Sequence, residues 1–171
     1  QATGYPREKM YGIWWAGAEP DVKDVGDGAK GYNALAMQHG AEQGSKVVKE
    51  VLEKLHAKGQ GTGPKEEVGQ VLYMRGLISS MLQVEAVRAA QGRYGKGKRI
   101  TGEQMRWGLE NLNLDQKALD GMGLAGVMRP VQTSCLDHMG ASWVRIQTWD
   151  GAKWVPANDW YQADEKLLRG M

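Results

Sequence analysis

The apolar positions fall into short runs at both ends of the chain and into stripes of helical spacing between them. KMYGIWW (9–15) is a near-continuous apolar and aromatic run, the pattern of a buried parallel strand. AGAEPDVKDVGDGAKG is a loop with a turn of helix, and YNALAM (32–37) is a second short strand that ends at the turn-rich QHGAEQG. Ser45 caps a helix over 46–58, with Val47, Val48, Val51, Leu52 and Leu55 on one face and Gly59 as its stop. After the loop GQGTGPK a long helix runs from Glu66 to Gln91. Its apolar residues, from Val68 and Val71 through Ile78 and Leu82 to Val87, go nearly all the way round, so it must be covered on most sides. Thr101 with Gln104 makes a capping box for a helix through Leu112, and Asn113 with Gln116 repeats the device for a short helix ending at Gly121. The tail places turn residues between apolar pairs, and WDGAKW (149–154) is a hairpin. The order is strand, strand, three or four helices, hairpin. It supplies few strands to cover the long helix, which points to a fold with a part missing.

Composition sharpens this picture. The chain has 171 residues, 42% hydrophobic and 25% charged, which suits one large or two small globular domains. The net charge is +2 and the signs alternate, so there is no nucleic-acid footprint; the dense basic stretch RYGKGKR is a solvated loop. With 9 Met, 7 Trp and no Phe, methionine and tryptophan supply the large side chains. The single Cys135 cannot form an intrachain disulfide and leaves the redox compartment undetermined. No run is long or apolar enough to span a bilayer. The opening QATGYP has neither the basic nor the apolar region of a signal peptide, so a processed or truncated piece of a longer protein is expected.

Candidate chemistry is sparse. SCLDHMG brings Cys135, Asp137 and His138 together, but zinc takes about four ligands at defined spacing and only two other histidines exist. Asp-His before Gly is turn composition, so no metal and no catalytic residue is assigned; a cysteine–histidine hydrolase is kept as an alternative. GKGKR and GQGTGPK lack the strand-to-helix setting of a phosphate loop, and Glu66–Glu67 and Asp24–Asp27 are solvated surface. Arg75 stands inside the long apolar helix and, at helical spacing, shares a face with Val68, Leu72, Ser79 and Leu82. It is either a snorkelling or internally paired arginine or a fork that holds a carboxylate. Trp14 and Trp15 close the first strand: they either pack in the core or form an aromatic wall in the crevice beyond a strand's carboxyl end.

In order, GYPREKMYGIWW, VGDGAKGYNALAM and CLDHMGASWVRIQTWDGAKW resemble the type I periplasmic solute-binding proteins of ABC importers, the branched-chain amino-acid receptor branch above all. The match is to the C-terminal part of such a receptor. It implies an α/β fold of two lobes, with parallel sheets flanked by helices and hinge crossovers. Residues 1–40 would end the second lobe, 41–146 would belong to the first, mainly helical here, and 147–171 would return to the second, with AMQHG and IQTW as crossings. The resemblance implies a periplasmic receptor and not an enzyme, with no cofactor. Its partners would be an ABC permease in the membrane and the missing N-terminal half, or a second copy of itself. The family's contacts fall after the strand MYGIWW and at the start of the helix, on Trp14 and Trp15, on or near Val68, and by extension on Arg75. The position that is acidic in amino-acid binders falls on or beside Trp14. With Arg75 this suits a small carboxylate with an apolar or aromatic body beside the amino acid the family implies. A ligand-sensing regulatory domain of the same fold is the alternative function.

Overall fold

The computed structural model describes residues 3–164 and 166–167. In chain order the elements are β1 (Tyr11–Gly12), α1 (Pro20–Lys23), β2 (Asn33–Ala36), α2 (Lys46–Lys54), α3 (Val71–Tyr94), α4 (Gly102–Leu109), β3 (Asn113–Leu114), α5 (Gln116–Gly121), β4 (Val131–Gln132), β5 (Trp143–Trp149), β6 (Trp154–Pro156) and β7 (Tyr161–Gln162). The α/β class holds. Two compact units form: the first takes the chain up to Met74 and from Ser142 onward, the second Arg75–Ala141. They divide at 74/75 and 141/142, whereas the lobe divisions expected from the resemblance lie at 40/41 and 146/147. Among the described residues no helix is long and apolar enough to cross a membrane.

The first unit is built on a sheet of order β1-β2-β5-β6, with β7 pairing the start of β5. β1 and β2 run parallel, Tyr11 opposite Asn33 and Gly12 opposite Ala34. β5 lies antiparallel to β2, Asn33 opposite Thr148, and β5–β6 is the expected hairpin with Trp149 opposite Trp154. Parallel pairing among the described residues is thus confined to β1–β2. One sheet face is covered by the connection between β1 and β2. Ala18, Val22 and Ala29 pack there with Ala34, Val71 and two indoles, Trp149 and Trp154, whose rings meet edge to face at 5.6 Å. Alanines facing indoles fill this core without phenylalanine.

Several boundaries differ from the sequence reading, and α4 ends at Leu109 rather than Leu112. β1 stops at Gly12, where a Cβ would collide with the Tyr32 phenol, and Trp14–Ala16 winds into a 3-10 turn closed by the Ala16 N–H on the Ile13 carbonyl (2.9 Å). α2 ends at Lys54 with a 3-10 turn (His56–Lys58) before Gly59, and Ser45 takes the N-cap position without its hydroxyl capping the helix. α3 starts at Val71, not near Glu66. Lys65–Glu67 is a 3-10 turn, Val68 is extended, and Gly69 has φ 97° with its Cα so near the Ala41 carbonyl that a Cβ would sit 2.5 Å from that oxygen. Only glycine fits such a left-handed, crowded position, and it breaks the helix.

In the second unit the Thr101 capping box forms as predicted. Thr101 Oγ1 accepts the Gln104 N–H (3.3 Å) and Gln104 Oε1 accepts the Thr101 N–H (3.0 Å). The next cap lies two residues later than expected. Asn113 is drawn into β3, paired with Gln132, and Asp115 caps α5 by accepting the Ala118 N–H (2.8 Å). Thr133 fastens the end of α4, donating to the Leu109 carbonyl (2.6 Å) and accepting the Leu112 N–H (3.0 Å).

Candidate ligand-binding site

The parallel pair fixes where a site can form, because β1 and β2 end at the same side of the sheet. Beyond β1, the 3-10 turn presents Trp14 and Trp15 from consecutive positions, ring centroids 4.3 Å apart and inclined at 61°. A strand would have sent them to opposite faces; the turn puts them side by side. Trp14 is half-buried and its Nε1 donates to Gln38 Oε1 (3.2 Å), so the first residues past β2 fasten the indole that follows β1. Trp15 is 69% exposed. A large apolar ring held at a strand end and left open to solvent is the kind of surface that binding sites use.

Next to Trp14 the chain past β2 supplies two buried polar side chains, Gln38 and His39. The Trp14 bond orients the Gln38 amide, and its Nε2, like Nε2 of His39, finds no hydrogen-bond partner among the described residues. The His39 ring stands edge-on to Trp160 at 6.0 Å, and Arg145, opposite Ala36 on β5, lays its guanidinium over the same indole at 4.5 Å. Burial, and secondarily the Arg145 charge, pushes His39 down to about 3, so the imidazole is neutral at physiological pH. Burial also lowers Arg145, against the upward pull of Asp159. The indole pair supplies an apolar wall fastened to the Gln38 amide, and beyond it a neutral imidazole and one guanidinium share the Trp160 ring; none of these is a nucleophile paired with a base.

Glu19 closes the loop behind the tryptophans. It is 8% exposed and accepts the Val71 N–H at 3.0 Å, so a carboxylate caps the first turn of α3 from far along the chain. Val68 and Arg75 do not share a helical face, because Val68 precedes the helix. Val68 is 1% exposed, and its carbonyl accepts the Gln43 amide (2.8 Å). Arg75 is half-buried on α3, in the second unit. The sequence reading singled out the tryptophans and missed Glu19, Gln38, His39, Arg145 and Trp160. The polar pair Gln38–His39 at the end of YNALAM was open to the same strand-end rule; Arg145 and Trp160 reach His39 only through sheet register, and Glu19 reaches Val71 from far along the chain.

The Cys135–His138 segment forms a turn. Ser134 and Asp137 exchange backbone hydrogen bonds (2.9 and 3.2 Å), and Asp137 Oδ1 accepts the Met139 N–H (3.0 Å). His138 Nε2 meets Glu110 Oε1 at 3.4 Å, and that oxygen also takes Arg106 Nε at 2.9 Å. Cys135 is exposed and lies against Arg106. Among the described residues no three His, Cys, Asp or Glu side chains gather into a metal-holding group.

No protein-family model matches the chain, and no curated protein does. Solved structures do. An ABC transporter permease from the Pseudomonas fluorescens group is 38% identical with a TM-score of 0.90, over 99% of this chain and 40% of that one. A branched-chain amino acid ABC transporter from Thermus thermophilus with bound valine is 23% identical at TM-score 0.67, over 90% and 39%. An ABC transporter substrate-binding protein from Aeropyrum pernix is 13% identical at TM-score 0.63, over 91% and 38%. The chain spans about two fifths of the length of each. The resemblance read from the sequence holds: over the part it spans, this chain has the periplasmic-binding-protein fold of ABC-transporter substrate-binding proteins.

Proposed function

We propose that this chain is part of a periplasmic receptor that captures a small solute and delivers it to an ABC permease, without chemistry on the solute. The observation that carries the reading is the Trp14–Trp15 pair, half-buried and exposed in turn, just past the carboxyl end of β1, in a chain with the fold of substrate-binding proteins. The solute is a small amphipathic organic acid or amino acid, held in the cleft between the lobes of the full receptor. Trp14 and Trp15 give it an apolar wall, the segment at Val68 a further contact, and Arg75 an anchor for its carboxylate. Residues 1–40 and 147–171 belong to one lobe and 41–146 to the other. Binding shifts the receptor toward its closed form only by the extra affinity that form offers, and the permease reads the closed form.

The test uses the full-length receptor titrated calorimetrically with valine, phenylacetate and phenylacetamide. Arg75→Ala should weaken a bound carboxylate by about tenfold or more and its amide far less, since an unpaired charge costs about 2–5 kcal/mol. Trp14→Ala should weaken all that bind, whatever the head group. Unchanged affinity in a folded Arg75→Ala variant with a lowered melting temperature makes the arginine structural and overturns the anchor.

A further inference from the structure

We propose that the loop joining α3 to α4 is a docking surface for the anionic headgroups of the membrane that carries the permease. Residues 93–99, RYGKGKR, hold four cations and no carboxylate, so with the net charge at +2 the rest of the chain stands at −2. Arg93, Lys96, Lys98 and Arg99 are all exposed, and among the described residues none of the four forms an ion pair. The flanking helices do not neutralise them. Their carboxylates are Glu85, held by Arg88, and Glu103 in the first turn of α4; Glu110, just past α4, is held by Arg106. A helix C-terminus attracts cations within its last turn, which accounts for Arg93 and leaves the three beyond it unexplained.

Local structure keeps these charges together. Gly95 (φ 128°) and Gly97 (φ 71°) turn the chain through left-handed backbone. Gln91 Nε2 donates to the Lys98 carbonyl (2.8 Å) and the Gly95 N–H donates to the Gln91 carbonyl (2.9 Å), so one residue of α3 ties down both ends of the turn. The Lys98 stem lies over Gly95 so closely that a Cβ there would meet its Cδ at 2.7 Å. At the base of the loop, Arg93 lays its guanidinium over two rings, 4.6 Å from Trp107 and 5.4 Å from Tyr94, which meet edge to face at 5.7 Å. Tyr94 is exposed and Trp107 half-buried. Amphipathic rings beside fixed cations match the headgroup layer of a bilayer, where aromatic residues sit at the polar boundary and lysine and arginine meet phosphates. Each cation close to an anionic surface strengthens attachment by about fivefold. Four give a weak, salt-sensitive hold, one that a receptor shuttling between solute and permease can leave.

This docking surface rests on the transport reading only in that the reading sets a membrane beside the receptor. Its test needs neither solute nor permease, so the two can fail separately. The full-length receptor is sedimented with vesicles of phosphatidylcholine alone and with vesicles of equal parts phosphatidylcholine and phosphatidylglycerol. It should bind the second and not the first, and about 1 M salt, which screens charge beyond about 3 Å, should release it. Lys96→Gln, Lys98→Gln and Arg99→Gln combined should weaken binding by about a hundredfold at an unchanged melting temperature. Lys23→Gln, Lys49→Gln and Lys58→Gln combined remove the same charge from exposed positions of the first unit and should leave binding unchanged. No binding to the anionic vesicles, binding that survives the loop substitutions, or equal loss in both triple variants would each overturn the proposal. So would a loop variant that no longer docks on the permease held in neutral lipid, because the partner is then an acidic surface of the permease itself.

Discussion

His39 shows how a single side chain ties the candidate site to stability. It is neutral because it is buried and because Arg145 opposes a second positive charge beside Trp160. In the unfolded chain the imidazole titrates near its ordinary value of 6.5; in the folded chain it titrates at about 3. Between those values the unfolded state binds the extra proton, so stability is full above pH 6.5 and is lost as the pH falls toward 3. The slope from this one group is about 1.4 kcal/mol per pH unit. Urea unfolding measured from pH 7 to pH 4 should show that loss, and His39→Gln, which cannot titrate, should flatten it. An unchanged pH dependence in the variant would place the buried proton elsewhere.

At the scale of elements, the boundaries show what one sequence can reveal. The Thr101 box and the WDGAKW hairpin were legible because their determinants lie within a few residues of one another. The ends of β1 and α3 were not, because Tyr32 decides the first and Ala41 the second, each across the fold. The same holds for the site. Trp14 and Trp15 stand out as candidates from their place at the end of an apolar run, whereas Arg145 reaches Trp160 beside His39 only through the register of β5 on β2. A helix that begins without a Ser, Thr or Asp of its own looks longer than it is; α3 takes its cap from Glu19 instead. Gly69 is the position where this matters most. Gly69→Ala combines left-handed backbone with a clash against the Ala41 carbonyl, two backbone atoms with little room to move. It should cost about 2 kcal/mol or more, seen as a lower urea midpoint at unchanged slope. A midpoint within error of the parent would show that the 40–41 and 69–71 segments yield easily.

For the whole molecule, the decisive feature is that the first unit is assembled from two distant stretches of chain. The connection from β1 to β2 can bury its alanines only if β5 and β6 return with Trp149 and Trp154. The return is fastened at several points. Trp149 N–H donates to the Tyr32 carbonyl and its own carbonyl accepts the Gly31 N–H, both at 2.9 Å; Gln147 Nε2 donates to the buried Gly17 carbonyl at 2.7 Å; Thr148 Oγ1 donates to Asn33 Oδ1 at 2.5 Å. Without that stretch, β1 and β2 are a short two-stranded pair, which is marginal in water. A chain ended after Ala141 should therefore lose slow exchange at Ala34 and Ala36 and the near-ultraviolet circular dichroism of the paired indoles. Gln147→Leu in the intact chain gives the graded version: it removes one bond and leaves the Gly17 carbonyl buried without its donor. That should destabilise the first unit by about 1–3 kcal/mol while the sheet still forms. Retained protection at Ala34 in the shortened chain would mean that the β1–β2 connection holds its own core and that β5 only covers it.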